Sequence, residues 1–379
     1  MRSSSRGRVD PFIVMDVMEA ARAAEAAGRR IIHMEVGQPG TPAPKGARDA
    51  LARAMDGDPL GYTVALGLPA LRSRIAAMYR TRHSVDLDPR RVIVTAGSSG
   101  AFLLAFTALF EAGDRVAMGD PGYPSYRQIL HALSLTPVGI ETHTQNRFQP
   151  VPDQIPQDVE GLIVASPANP TGTMLDSAHL AALIDRAAAS ETVFVSDEIY
   201  HGIEYDQRAV SALEITDNVV VINSFSKYYS MTGWRVGWMV VPDDMVRVIE
   251  RLSQNMFICA PHAAQVAALA AMDCEEELQA NLSVYATNRR IMSDGLPKAG
   301  FGNVAPPDGA FYVYADVSDF TDDSLAFSRE LLDGPGLAVT PGLDFDPVRG
   351  ARTLRFSYAC ATADISEGLE RLRDYMARR

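Results

Sequence analysis

Lysine is almost absent from this 379-residue chain: only Lys45, Lys227 and Lys298 among its 35 basic residues are lysines, and the other 32 are arginines. Any chemistry that needs a primary amine therefore has three candidates. Cysteine is equally sparse. Cys259, Cys274 and Cys360 stand far apart with no CxxC or Cys/His ligand spacing, so neither a disulfide framework nor a metal site is expected, and a reducing cytoplasm is the natural compartment. No run is long and apolar enough to span a bilayer. The basic, Ser-rich start (1–9) is followed by Asp10, Asp16 and Glu19, which leave no continuous apolar stretch of the signal-peptide kind. Positive charge is in deficit. A formal net charge of −12, without long single-sign runs, argues against nucleic acid or an anionic membrane as partner. Two nucleotide signatures are missing as well. No GxGxxG follows a strand, and the residues before the three lysines are Pro44, Ser226 and Pro297 rather than the glycine of a P-loop.

Apolar residues, by contrast, make up 47% of the chain, enough for one large core or two unequal ones, and two domains are expected. Between about residues 90 and 245, short β-branched runs alternate with helical patterns, which predicts βαβ units and a mostly parallel sheet. Strands are expected at 92–96, 115–118, 161–165, 192–196, 218–223 and 236–241. Helices are expected after Gly97, near Tyr123, over 177–189, and from Pro242 as first helical residue with Asp243 and Asp244 favourable to the dipole. A long helical pattern then runs from about 275 to Gly295, followed by strands AFYVYAD and TLRFSYA with helices between them, a second and smaller α+β unit. The spacing of Ile365, Leu369, Leu372 and Met376 predicts a last helix packed on that unit. Lys45, in the turn-like TPAPKG, and Lys298, after Pro297, read as solvated loop charges.

In an open parallel sheet the ligand lies outside the carboxyl ends of the strands, so the residues just after each strand carry most information. After the first comes Gly97-Ser98-Ser99-Gly100, small residues opening a helix whose free amides suit a phosphate, although ordinary turns use the same residues. After GLIVA comes SPANPTG, where prolines constrain the backbone around Asn169. After TVFVS come Ser196, Asp197, Glu198, Ile199 and Tyr200. A strand-terminal acid pair could hold magnesium in a P-loop enzyme, but the partner motif is missing. After NVVVIN comes SFSKYYSMTGWRVGW, which brings Ser224, Lys227 and Arg235 into one short stretch. An arginine would serve a salt bridge equally well, whereas only a lysine forms an imine with an aldehyde.

Eight segments in order, GQPGTP near Gly37, GYTVALGLPALR from Gly61, VTAGSSGA from Val94, DPGYPSY from Asp120, SPANPTGT from Ser166, SDEIYHG from Ser196, SFSKYYSMTGWRVG from Ser224 and TLRFSYA from Thr353, resemble the class I/II aminotransferases of pyridoxal-phosphate fold type I. The likeness covers nearly the whole chain. It implies an α/β fold with a seven-stranded-type central sheet. It further implies a large cofactor domain over 43–285 and a small α+β domain built from 1–42 and 286–379. The cofactor implied is pyridoxal 5′-phosphate, held as an imine on Lys227, with Asp197 facing the pyridine nitrogen. By the same likeness Tyr200 and Asn169 bond the phenolic oxygen, Tyr123 stacks on the ring, and Ser98, Ser99, Ser224 and Arg235 meet the phosphate. Tyr62 would reach the phosphate of a neighbouring subunit, which implies a homodimer. Arg355, set between Leu354 and Phe356 in an alternating strand, is the expected clamp for the substrate α-carboxylate, with backbone near Gly37 and Asn169 completing that site.

The activity implied is amino-group transfer between an α-amino acid and a 2-oxo acid, 2-oxoglutarate by default. It would proceed by a ping-pong route through the Lys227 imine and pyridoxamine phosphate, within amino acid metabolism. A lyase on the same fold would share these contacts. A ligand-sensing regulator domain is a further alternative, opposed by the acidity and by the mere seven residues before RVDPFIVMDVMEAA, too few for a helix-turn-helix.

Overall fold

The computed structural model describes residues 2–379. The chain opens with α1 (Ile13–Ala26), β1 (Ile32–His33), α2 (Lys45–Met55) and α3 (Pro69–His83). The alternating region follows: β2 (Val92–Thr95), α4 (Gly97–Leu109), β3 (Arg115–Asp120), α5 (Pro124–Ala132), β4 (Thr136–Glu141), β5 (Gly161–Ala165), α6 (Ser177–Ala189), β6 (Val193–Asp197), β7 (Val220–Ser224) and β8 (Gly237–Val240). Three helices, α7 (Asp243–Met256), α8 (His262–Ala271) and α9 (Glu275–Lys298), lead to β9 (Tyr312–Asp316) and α10 (Ser324–Asp333). The chain closes with β10 (Leu337–Ala338), β11 (Thr340–Pro341), β12 (Thr353–Ser357) and α11 (Thr362–Met376).

Seven strands form the central sheet in the order β2-β8-β7-β6-β5-β3-β4, parallel throughout except β8, which runs antiparallel to both neighbours. The expected α/β class with a mostly parallel sheet is therefore the observed one. Its inner strands are buried on both faces, which is why they read as continuous apolar runs and not as alternation. Helix α6 shows the local logic. Asp176 caps it by accepting from the His179 amide at 2.9 Å, and Leu180, Leu183, Ile184 and Ala187 bury one face at helical spacing.

Several local expectations need correction. Pro242 is the N-cap of α7 and not its first helical residue, so Asp243 and Asp244 open the helix. Lys45 does not sit in a turn; it opens α2, capped by Pro44, though its side chain is exposed. Strand β4 was not anticipated, because TPVGIE is half polar and carries Pro137. At the sheet edge a strand can be exposed and can lack one amide donor.

Beyond the central sheet, β11-β12-β9 form an antiparallel sheet and β1 pairs with β10 in parallel. Ile365, Leu369 and Leu372 of α11 are buried, as their spacing predicts, and Leu369 packs so closely on Gly295 of α9 that a Cβ there would lie 2.6 Å from it. This second apolar cluster takes in Ile199, Tyr200 and Ile203, the residues just after β6, so two cores meet at the tail of the central sheet. Among the described residues no helix is long and apolar enough to cross a membrane.

Phe356 in β12 is fully buried, with its ring 5.9 Å from that of Phe301. Phe356→Ala is expected to cost about 3–5 kcal/mol by removing a fully packed ring, read as a lower urea midpoint; an unchanged midpoint would show that this cluster does not bear the second unit's stability.

Candidate active site

The carboxyl ends of β2, β5, β6 and β7 lie along one edge of the central sheet, and the chain leaving each supplies a polar side chain there. Asp197 is the last residue of β6 and only 3% exposed. Its Oδ2 accepts from the Tyr126 hydroxyl and its Oδ1 from the Ile199 amide at 3.1 Å. Burial raises its carboxyl to about 6, against the lowering effect of those two donors and of Lys227. A carboxylate so placed lacks a full counter-charge, and a cationic ring nitrogen opposite it would be stabilised.

Lys227 follows β7, and its Nζ donates to the Gly37 carbonyl at 2.7 Å. Burial first, then the positive charges of Arg355 and Arg235, lower the amine to about 8, with Asp197 opposing. Gly37 is required where it stands: a Cβ would lie 1.9 Å from the Tyr312 hydroxyl. That hydroxyl shares a 2.7 Å hydrogen bond with Tyr200, which is buried and whose own ionisation burial pushes well above the usual phenol range.

Arg355 is buried at 3% exposure, because both faces of β12 are covered. Its Nη1 donates to Asn169 Oδ1 at 2.9 Å and its Nη2 to Thr340 Oγ1 at 3.1 Å and to the Glu35 carbonyl, while its Nε has no partner. The guanidinium lies over the rings of Tyr312 at 4.4 Å and Phe345 at 4.7 Å. A buried cation with an unused donor and only neutral partners is suited to a carboxylate.

A separate anion cradle lies at the start of α4. Ala96 provides no side-chain cap, so the first-turn amides, including those of Ser98 and Ser99, carry the positive end of the helix dipole uncompensated. Arg235, at φ 54°, brings its guanidinium against Gly97, where a Cβ would lie 2.3 Å from Nη2. Its Nη1 donates to the Thr232 carbonyl at 2.9 Å. Ser224, the last residue of β7, donates to Ser226 Oγ at 2.8 Å. Gly237 must also lack a side chain, since a Cβ would lie 3.1 Å from the Ser98 amide nitrogen.

Lys227, Gly37, Tyr200, Arg355 and Asn169 are thus joined by direct contacts through Tyr312, Asp197, held by Tyr126, is near enough for its charge to act on the Lys227 amine, and Gly97, Ser98 and Arg235 form the neighbouring cradle. Tyr123 caps α5 and sets its ring at 81° and 5.3 Å to that of Tyr126. Tyr62 is not brought to this group. It is 83% exposed and lies beside Phe257, Pro261 and His262 on the surface of the single chain.

Sequence reasoning missed Tyr126, Tyr312 and Thr340. Tyr126 had a signal, since it stands one helical turn after Tyr123 and so shares its face. Tyr312 and Thr340 had none until β9 and β11 were seen to flank β12, with Thr340 opposite Arg355 and Tyr312 opposite Ser357.

The family model for aminotransferase class I and II matches residues 29–372. The chain is 47% identical over 382 residues, 99% of its length and 98% of the relative's, to a protein of Mycobacterium tuberculosis named valine–pyruvate aminotransferase. A crystal structure of an aminotransferase from Mycobacterium tuberculosis matches at 46% identity and a TM-score of 0.98 over 100% of both chains. Aspartate aminotransferase from Thermus thermophilus with maleate matches at 28% identity and a TM-score of 0.92, covering 99% of this chain and 100% of that one.

The lowered Lys227 amine sets a measurable pH dependence. Because only the neutral amine attacks a carbonyl, reductive alkylation of Lys227 by a small aldehyde in the cofactor-free protein should rise through a midpoint near pH 8, not near the ordinary value of 10.5. Peptide mass spectrometry across a pH series gives the midpoint, and a value near 10 would contradict the burial argument.

Proposed function

The chain belongs to the class I and II aminotransferases and is an aminotransferase, and from that premise we propose that it moves the amino group of an α-amino acid to a 2-oxo acid with pyridoxal 5′-phosphate as cofactor. The observation that carries this reading is a depressed, half-buried lysine amine set among Asp197, Tyr200, Asn169 and Arg355, next to an uncapped helix start reinforced by Arg235. These residues fit the cofactor by donor chemistry: a nucleophilic amine for an aldehyde, a buried carboxylate for a pyridinium, and a cationic cradle for a phosphate dianion. Bound there, the cofactor supplies the aldehyde that takes up the amino group and the electron-withdrawing ring that acidifies the substrate α-carbon.

Lys227 would hold the cofactor through its amine, and the same amine is placed to carry a proton to and from the substrate α-carbon as general acid and base. Asp197 keeps the ring nitrogen protonated, and its buried, hydrogen-bonded seat holds it in one orientation. Tyr200 and Asn169 would hold the cofactor's phenolic oxygen by hydrogen bonds, and Tyr123 would supply an aromatic surface for its ring. Ser98, Ser99, Ser224 and Arg235 bind the phosphate. Arg355 clamps the α-carboxylate, with Gly37 and Asn169 alongside, and so determines which bond at the α-carbon is aligned to break.

The donor leaves as its oxo acid before the acceptor enters, giving ping-pong kinetics. The acceptor proposed from the family likeness is 2-oxoglutarate; pyruvate is the second choice, favoured by the name of the Mycobacterium tuberculosis relative. The protein is proposed to work as a cytoplasmic homodimer, with the exposed Tyr62 reaching the neighbouring subunit's phosphate. The proposed division is a cofactor domain over 43–285 and a smaller domain from 1–42 and 286–379.

The purified protein, incubated with a panel of amino acids and either acceptor, is expected to yield glutamate or alanine with the matching oxo acid. Pyruvate and ammonia formed without an acceptor would instead mark elimination. Lys227→Ala should abolish the borohydride-trapped cofactor adduct and lower turnover by several orders of magnitude. Lys45→Ala and Lys298→Ala should leave both within about twofold, as exposed side chains allow; equal loss in all three would point to misfolding. Asp197→Ala should retain bound cofactor yet lose turnover by at least about a hundredfold, and unchanged turnover would remove Asp197 from the mechanism.

A further inference from the structure

Helix α1 starts without a cap of its own, since Phe12 stands at the N-cap and offers no acceptor. Its first amides are met from far along the chain. Asp344 Oδ1 accepts from the Ile13 amide at 3.0 Å and Oδ2 from the Val14 amide at 3.3 Å, across separations of 331 and 330 residues. Upstream, Gln128 of α5 accepts from the Asp10 amide at 3.0 Å. The segment from Asp10 to Val14 is therefore pinned at both ends. Between the pins Phe12 sets its ring edge-on to Tyr123, at 6.0 Å and 79°.

Asp344 and the residue after it tie this segment to the carboxylate site. The Phe345 ring lies 4.7 Å from the Arg355 guanidinium, and the Phe345 carbonyl accepts from the Gly122 amide, next to Tyr123, at 3.1 Å. One dipeptide thus touches the start of α1, the arginine, and the turn that carries Tyr123. Asp344 is only 6% exposed, and burial raises its carboxyl to about 6, so the two amide donors offset just part of the cost of placing a carboxylate there.

The pinned segment has a definite chemical character. Pro11, Phe12, Ile13 and Val14 are apolar, the flanking Asp10 and Asp16 are exposed, Asp344 behind them is acted on by the Arg355 charge, and the segment from Asp10 to Val14 carries no cation of its own. A substrate side chain reaching this wall from Arg355 would meet apolar surface with no cation on the segment to pair with a second carboxylate.

We propose that Asp344 is a positioning residue for substrate selection: by capping α1 it holds Phe12 against Tyr123, so that the enzyme takes amino acids with apolar side chains in preference to acidic ones. This rests on the reading of Arg355 as the α-carboxylate clamp. The test compares Asp344→Ala, Asp344→Asn and Phe12→Ala holoenzymes with wild type, using valine and aspartate as donors. Asp344→Ala should raise KM for valine about five- to tenfold, the equivalent of a lost helix cap, with kcat within about threefold and the cofactor absorbance spectrum unchanged. Asp344→Asn, whose amide oxygen still accepts from one amide, should recover most of that loss. Phe12→Ala, at a partly buried residue outside the core clusters themselves, should reproduce the fall in valine-over-aspartate preference with the thermal midpoint essentially unchanged. Unchanged KM and preference in both alanine variants would overturn the proposal, as would an Asp344→Asn enzyme as impaired as Asp344→Ala. Arg355→Ala separates the two levels: if it binds valine as wild type does, the clamp reading itself has failed, whereas loss of all amino acids with intact discrimination in Asp344→Ala refutes only the role of Asp344.

Discussion

Three cations and one carboxylate converge at one edge of the central sheet, and no ion pair joins them among the described residues. Lys227 and Arg235 donate to carbonyls, Arg355 to an amide oxygen, a hydroxyl and a carbonyl, and Asp197 accepts from a phenol and an amide. Charges held apart in this way repel or strain one another unless something of complementary shape and charge enters. The depressed lysine and the elevated aspartate are two expressions of that imbalance. Much of the surrounding architecture is what keeps these groups from relaxing into salt bridges.

The sheet topology does most of that work. With β2, β5, β6 and β7 all running the same way, the segments that follow them leave at one edge, and each delivers one or more functional side chains on a short, constrained stretch. Glycine at 97, 237 and 37 removes the Cβ atoms that would hold Arg235, the α4 amides and Tyr312 further away. The second sheet then closes the site from the other side, since β12 carries Arg355 between β9 and β11 and buries it against aromatic rings.

The N-terminal segment belongs to this arrangement and not to an appendage. β1 pairs with β10, the Glu35 carbonyl accepts from Arg355, and the Gly37 carbonyl accepts from Lys227, so the first forty residues contribute backbone acceptors to two of the three cations. The contact of Asp344 with α1 extends the same pattern one layer outward.

What could be read from the chain alone was whatever depends on near neighbours in sequence. Strand positions in the central sheet, the span of α6 and the α11 stripe follow from periodicity and turn residues, and Lys227 stands out because lysine is otherwise so rare. The family resemblance adds Asp197, Tyr200, Asn169, Arg235 and Arg355 because each sits in a short, ordered motif. The edge strand β4, the helical start at Lys45 and the pairing of Tyr126 with Asp197 depend on what packs opposite, which local patterns do not encode. Tyr312, Thr340, Phe345 and Asp344 acquire their meaning only when β9, β11 and β12 align and fold back on the first forty residues. Sequence by itself determined which side chains could do the chemistry; the tertiary structure decided which of them face one another, because those contacts close loops of tens to hundreds of residues and are selected by packing and not by local preference.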